Sequence, residues 1–445
     1  MTDTSKHSIY YKLAIALIIA ASCFRVFICL VHNPMDYIWS DMARHWTSGQ
    51  HFPRGGYSGA ADPIGYQVYV FLLQKITGYN ELLVGLASAL MSVLMPWTYY
   101  RAARDFGLRK AAALWAWALI AWTPSLSVIY HFIMPETLLL FLEGIALWMT
   151  ARYLRRGGTR AFLLFVFFWT LTCLTKPTLG PLAVICFLWV WWKKRTPLRD
   201  LAGAAVLAFL MLLPQAFRSK VELGFYAPLA NTWLTRIYLR SGARRFYLHF
   251  YAAHGVQPVN PNMQDAELII SSPSCFIRPL EPLSGWAMRR AWGDSKASVM
   301  IYAEHGERDW KEAFDRYDHD PHEWLAQWRE NVILFLFSQS WPESFGGEWD
   351  GHLEYRARWM WAPLILVVFV LDVRELVRRR FHLIPIATLL FTLALGLQNA
   401  LIAEGRYRKP VEPLLLLNLV WVLSSSKAGN ASEHPSVSAE VSEAV

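Results

Sequence analysis

Long apolar stretches recur down this chain, each ended by a short polar or basic link, and that alternation constrains the fold more than any motif does. The stretches fall near 13–31, 82–100, 111–130, 134–151, 161–175, 178–192, 201–217, 360–373, 383–402 and 411–424. Runs of this kind approach the roughly 20 apolar residues needed to carry a helix through a hydrocarbon core about 30 Å thick. The chain therefore reads as an all-α, polytopic membrane protein with about ten transmembrane helices. Composition agrees: 55% of residues are hydrophobic and 17% charged, against a charged fraction of about 25% in soluble domains. The 22 Trp, 19 Tyr and 25 Phe suit the water–lipid boundaries of such a bundle.

The links orient the bundle. Arg101, Arg104, Arg109 and Lys110 fill one; Arg152, Arg155, Arg156 and Arg160 a second; Lys193, Lys194, Arg195 and Arg199 a third; Arg374, Arg378, Arg379 and Arg380 a fourth. An even number of spans separates each cluster from the next, so the positive-inside rule places all four in the cytoplasm. Both termini are then inside, and 32–80, 131–136, 176–178, 218–358 and 403–410 are outside. A net charge of +9 distributed this way is not a nucleic-acid face. Met1 to Lys12 is polar, with no small-residue cleavage site after the run that follows, so an uncleaved first helix is expected. Of the five cysteines, four lie in apolar runs and none has metal spacing; they read as small core hydrophobes.

The expected organisation is an N-terminal transmembrane module over 1–217, whose first outer loop is 32–80. An extracytoplasmic loop domain over 218–358 and a C-terminal transmembrane module over 359–425 follow, then a disordered tail over 426–445. Ile64 to Ile76 carries Gln67, Gln74 and Lys75 and reads as a helix lying at the interface.

The first outer loop holds Asp36, Asp41 and Asp62. Trp39, Met42, Ala43 and Trp46 share one face of a short amphipathic helix, with Asp41 on the other flank. Asp41 is either a solvated carboxylate or a general base for an acceptor hydroxyl. Lys176 joins two apolar runs of about 15 residues, each reaching roughly 22 Å, less than the hydrocarbon thickness. Its ammonium either snorkels or meets a phosphate at headgroup level. Arg406 offers bidentate phosphate contact or a salt bridge to Glu404. Glu136 either caps a helix start or lines the site as a sugar or metal ligand. Between Asp315 and Glu323, Asp318, Asp320 and His322 alternate as in some metal loops and equally as a solvated turn.

An acidic residue just after the first span, followed by an interfacial helix opening with Pro63, resembles the GT-C superfamily of glycosyltransferases. The branch of protein O-mannosyltransferases and aminoarabinose transferases is most similar. Asp41 takes its Asp position, though Met42 stands where a Glu is usual, and Asp62-Pro63 stands where a double Pro is common. Met134-Pro135-Glu136-Thr137 resembles its acidic residue opening a span. Leu174-Thr175-Lys176-Pro177-Thr178-Leu179-Gly180 resembles its Leu-Thr-Lys hairpin. Arg406-Tyr407-Arg408-Lys409-Pro410-Val411-Glu412-Pro413 resembles its Arg-Tyr-x-x-Pro-x-x-Pro approach to the last span.

The resemblance implies a GT-C-like bundle with interfacial helices in its first outer loop. It implies transfer of a sugar from a polyprenyl-phosphate donor to a hydroxyl of a glycan, lipid or protein at the outer face; a single carboxylate base favours inversion, and the compact size without retention signals points to a cell inner membrane. Asp41 is then the catalytic base. Lys176, Arg406 and Arg408 bind the donor phosphate, and Asp36, Asp62, Glu136 and Tyr407 bind substrate. No metal ligand set and no required cofactor is expected, a divalent cation being left open; the partners are the lipid-linked donor and membrane lipids. The rival reading is a transporter or flippase for an anionic lipid or solute, which usually carries internal repeats not seen here.

Overall fold

A computed structural model describes residues 3–38, 40–53, 62–223, 226–229, 348–378, 381–399 and 408–428. Every regular element among the described residues is a helix. The apolar runs become α1 (Asp3–Val31), α4 (Glu81–Asp105), α5 (Lys110–Trp122), α7 (Pro135–Arg156), α8 (Thr159–Thr175), α9 (Gly180–Lys194), α10 (Leu198–Leu223), α11 (Glu348–Val377), α12 (Leu383–Asn399) and α13 (Val411–Ala428). The shorter α2 (Ser40–Gln50), α3 (Ile64–Thr77) and α6 (Pro124–Val128) lie between them.

Among the described residues, four helices are long and apolar enough to cross a membrane outright: Ile9–Val31, Glu81–Asp105, Pro135–Arg156 and Leu198–Val221. Thr159–Thr175, Leu383–Leu395 and Val411–Ser424 are shorter apolar helices. The run 111–130, expected as one span, is broken. Lys110–Trp122 and Pro124–His131 meet at 70°. The cause is in the sequence: Pro124 has no N–H to continue the ladder, and it disfavours helical backbone at Thr123, which is extended at φ −68° and ψ 117°.

The bundle packs α4 along α7, α7 along α8, and α1 against α4 and α5; α13 returns against α5. Close approach of α4 and α7 depends on Gly144, where a Cβ would lie 1.9 Å from Thr98 Oγ1. The helix α1 buries Ala14, Ile18, Ala21, Arg25 and Ile28, one helical stripe, and turns Ile19 and Phe27 outward. The stripe contains a guanidinium, which is fully buried.

Both short helices expected between residues 32 and 80 form. In α2, Met42 and Trp46 are buried and Ala43 is half-buried, with His45 joining the buried face. This face packs on α3, where Gln74 Nε2 donates to the Trp46 carbonyl at 2.8 Å. α3 buries Tyr66, Gln67, Val70 and Gln74 and leaves Leu72 and Ile76 exposed, the pattern of a helix lying along a lipid boundary.

Candidate active site

Glu136 and Lys176 meet. Pro135 opens α7 and puts Glu136 in its first turn, where the helix dipole favours a carboxylate. Lys176 follows the last residue of α8 in extended backbone, and Pro177 then turns the chain into α9. The Lys176 ammonium forms an ion pair with Glu136 Oε1, the Lys176 side chain 16% exposed and that of Glu136 1%. The pair thus has a buried anion and a cation that still reaches the surface. An ammonium carries three donors, so Lys176 can hold Glu136 and a second anion together.

α3 is pressed against this hairpin. A Cβ on Gly65 would lie 2.8 Å from the carbonyl carbon and oxygen of Leu174 and 2.9 Å from the Thr175 nitrogen. Tyr66 is buried beside α7. Burial pushes its phenol well above its usual range, nearby Tyr69 adds to the effect, the Thr137 hydroxyl opposes it and the Glu136 charge again raises it.

His45 of α2 meets Tyr66 edge-on at 5.2 Å between ring centroids. Asp62, just ahead of α3, accepts from Arg44 at 3.3 Å and lies 3.9 Å from His45 Nδ1. The structure therefore joins three predicted residues, Asp62, Glu136 and Lys176, in one band running from α2 through α3 to α7 and α8. Asp62 sits in it as the partner of Arg44 and His45.

A second group lies around α6. Arg408 Nε donates to Glu412 Oε1 at 3.1 Å, both residues fully buried. Ser125 Oγ donates to Glu412 Oε2 at 2.6 Å, and the Lys409 ammonium donates to the Ser125 carbonyl. The predicted phosphate ligand Arg408 is thus a buried residue paired with Glu412 at the start of α13, while Glu412 and Lys409 make the contacts to Ser125 of α6. Tyr130 Oη, beyond α6, donates to the Thr137 carbonyl at 3.0 Å and links this group to the first turn of α7.

Asp36 is exposed and accepts from the backbone N–H of Asn33 at 3.2 Å, closing the 3-10 turn Pro34–Tyr37. Asp41 is placed on α2, one turn before His45, and its side chain lies outside the described residues. Arg406, Tyr407 and the 315–323 cluster also lie outside them. Among the described residues no group of three His, Cys, Asp or Glu could hold a metal ion.

Sequence reasoning missed Arg25, Ser125 and the pairing of Arg44 with Asp62. Arg25 had a signal: it is the one charged residue in the run 13–31, and an ionised side chain inside a span marks a site by default. Ser125 had none beyond the adjacent Pro124.

Residues 62–217 match the family described as dolichyl-phosphate-mannose-protein mannosyltransferase. The matched segment holds Asp62, Glu136 and Lys176; Asp41 and the 404–413 stretch lie outside it. No curated protein matches. Two solved structures are similar at low identity. One is ArnT from Cupriavidus metallidurans bound to undecaprenyl phosphate, at 18% identity and TM-score 0.41, covering 94% of this chain and 79% of that one. The other is the apo state of the same protein, at 16% identity and TM-score 0.37, covering 94% and 77%. Likenesses at these scores carry no argument about individual residues. Over residues 62–217 the family match agrees with the glycosyltransferase resemblance read from the motifs.

Proposed function

We propose that the chain transfers a sugar from a polyprenyl-phosphate donor to a hydroxyl acceptor at the outer membrane face. The observation that carries the reading is the Lys176–Glu136 pair, seated on the segment that matches the mannosyltransferase family. A lipid phosphate arriving from the bilayer meets a cation that is already positioned and still accessible. The acceptor oxygen attacks the anomeric carbon, and the bond from that carbon to the phosphate oxygen breaks, its electron pair leaving on the phosphate. Asp41 takes the acceptor proton, which suits a carboxylate on a helix fixed by its buried Met42 and Trp46. Lys176, with Arg406, offsets charge developing on the leaving phosphate. One carboxylate base and one direct attack invert the anomeric centre.

Two experiments test the reading. Mass analysis of envelope glycans and lipids, with and without the protein, is expected to reveal one sugar substituent that depends on it. The purified chain in proteoliposomes is then expected to release polyprenyl phosphate as it moves that sugar from the matching donor. If envelopes with and without the protein are identical, and a panel of polyprenyl-phosphate sugars gives no transfer, the proposal is wrong and the transporter reading takes its place.

A further inference from the structure

At the other end of α8 from Lys176, α8 and α10 part to leave a groove of about 460 Å³. Leu163, Leu164 and Phe167 of α8 and Leu207 of α10 form its walls, and Thr159 and Arg160 stand at its mouth. Val206, Phe209 and Leu210 of α10 are exposed beside it, so the groove opens onto the surface that meets acyl chains. The walls are apolar and the mouth is cationic. The Arg160 side chain is exposed, and among the described residues it makes no ion pair. Arg199 lies across the mouth, its NH2 3.5 Å from Thr159 Oγ1. Asp200 is the carboxylate here; it accepts from Thr159 at 2.9 Å and lies 3.7 Å from Arg199 Nε, and its side chain is 6% exposed. Exposed Lys193, Lys194 and Arg195 extend the basic edge along the end of α9.

We propose that this groove binds one anionic phospholipid from the leaflet at the basic end of the bundle. An acyl chain fills the space between Leu163, Phe167 and Leu207, and the headgroup phosphate meets Arg160 and Arg199 at the mouth. Charge complementarity selects the headgroup: a basic mouth favours a lipid with net negative charge over a zwitterionic one. This site is separate from the Lys176 end of the bundle and does not depend on the transfer reaction.

The test is native mass spectrometry of the full-length protein from micelles holding equal phosphatidylglycerol and phosphatidylcholine. The protein is expected to retain phosphatidylglycerol in preference. Arg160→Ala is expected to cut that preference about fivefold, the factor one basic residue contributes near an anionic lipid surface. Arg160→Lys keeps the charge and is expected to retain most of it. Leu164→Trp fills the groove without altering charge and is expected to lower retention of both lipids. Equal retention of the two lipids by the unaltered protein overturns the proposal. So does an Arg160→Ala protein with undiminished preference, or a Lys193→Ala, Lys194→Ala protein that loses as much as Arg160→Ala, since either result reduces the groove to general surface charge.

Discussion

Arg25 Nε donates a 2.7 Å hydrogen bond to the carbonyl of Ala121, in the last turn of α5. The same guanidinium reaches the Ile120 carbonyl at 3.1 Å, the Leu126 carbonyl at 3.2 Å, and the carbonyl and hydroxyl of Ser92 at 2.9 and 3.0 Å. The break at Thr123-Pro124 orphans the last carbonyls of α5 inside a membrane bundle, where water is scarce and each unmet group is costly. Arg25 meets them with a charge that the negative end of the helix dipole favours. The cost of burying a cation and the cost of breaking a span are thus offset against each other.

Replacing Arg25 separates these costs. Arg25→Met keeps the length and apolar stem but leaves several buried carbonyls without a donor. At about 1–3 kcal/mol per orphaned group, a loss of about 3 kcal/mol or more is expected. Thermal unfolding in detergent is expected to show a clearly lowered midpoint. Arg25→Lys, with one point charge in place of a fork, is expected to fall between. A midpoint for Arg25→Met equal to that of the unaltered protein would show that the carbonyls are satisfied without it.

Gly65 gives a second test, because geometry and helix propensity predict opposite signs. In an exposed helix, Gly→Ala gains up to about 1 kcal/mol. Here the added Cβ would sit 2.8 Å from Leu174 main-chain atoms, and backbone does not yield as a side chain does. Gly65→Ala is expected to push α3 off the hairpin that carries Lys176, destabilise by about 1–3 kcal/mol and raise the donor KM. Gly203→Ala is the control, since its Cβ would meet only Leu163 Cδ2, at 3.8 Å. Should Gly65→Ala behave like Gly203→Ala in both stability and transfer, the close approach has no functional weight.

Much of this was legible in one dimension. Apolar length marks spans because a bilayer imposes it, and α3 and the short α8–α9 hairpin follow from where Gln67, Gln74 and Lys176 interrupt that pattern. Tertiary pairing was not legible. Glu136 and Lys176 are 40 residues apart, and only the rotation of α7 against α8 decides whether they meet. Arg408 sits in a motif that resembles a phosphate contact, yet the register of α13 turns it onto Glu412, one helical turn away. The α5–α6 break was legible in principle from Thr123, Pro124, Ser125 and Ser127, but the strongly apolar residues on either side masked it. Apolarity reports the membrane, not backbone continuity within it.

The pairing of Glu136 with Lys176 predicts non-additive variants. Lys176→Ala is expected to raise the donor KM about 10- to 100-fold, the range for losing a hydrogen bond to a charged group. Lys176→Arg keeps the charge and is expected to retain part of the affinity. Glu136→Ala removes the carboxylate that holds the ammonium in place and is expected to raise KM as well. If the two act as one unit, the double variant is little worse than Lys176→Ala alone. Additive losses would mean that Glu136 and Lys176 contact the donor independently, and a fully active Lys176→Ala protein would leave its ammonium as a snorkelling side chain.

The assignment of the base to Asp41 is decided among three carboxylates between residues 32 and 80. Asp36 caps its own turn through the Asn33 N–H, a bond that an Asn side-chain oxygen also accepts. Asp36→Asn is therefore expected to change little. Asp62 is held by Arg44 and lies near His45, so its charge serves to fix α2 against the start of α3. Asp62→Asn is expected to weaken that anchor, lowering thermal stability and turnover together. Asp41 is the carboxylate on the helix so anchored. Asn keeps its shape but cannot act as a carboxylate base, so Asp41→Asn is expected to cut kcat by about 100-fold or more while the melting midpoint and donor KM stay near those of the unaltered protein. Transfer kinetics and thermal unfolding on the three purified variants separate the roles. A large kcat loss with unchanged stability in Asp62→Asn, beside a near-normal Asp41→Asn, would move the base to Asp62. Normal kcat in all three would remove carboxylate base catalysis by this loop altogether.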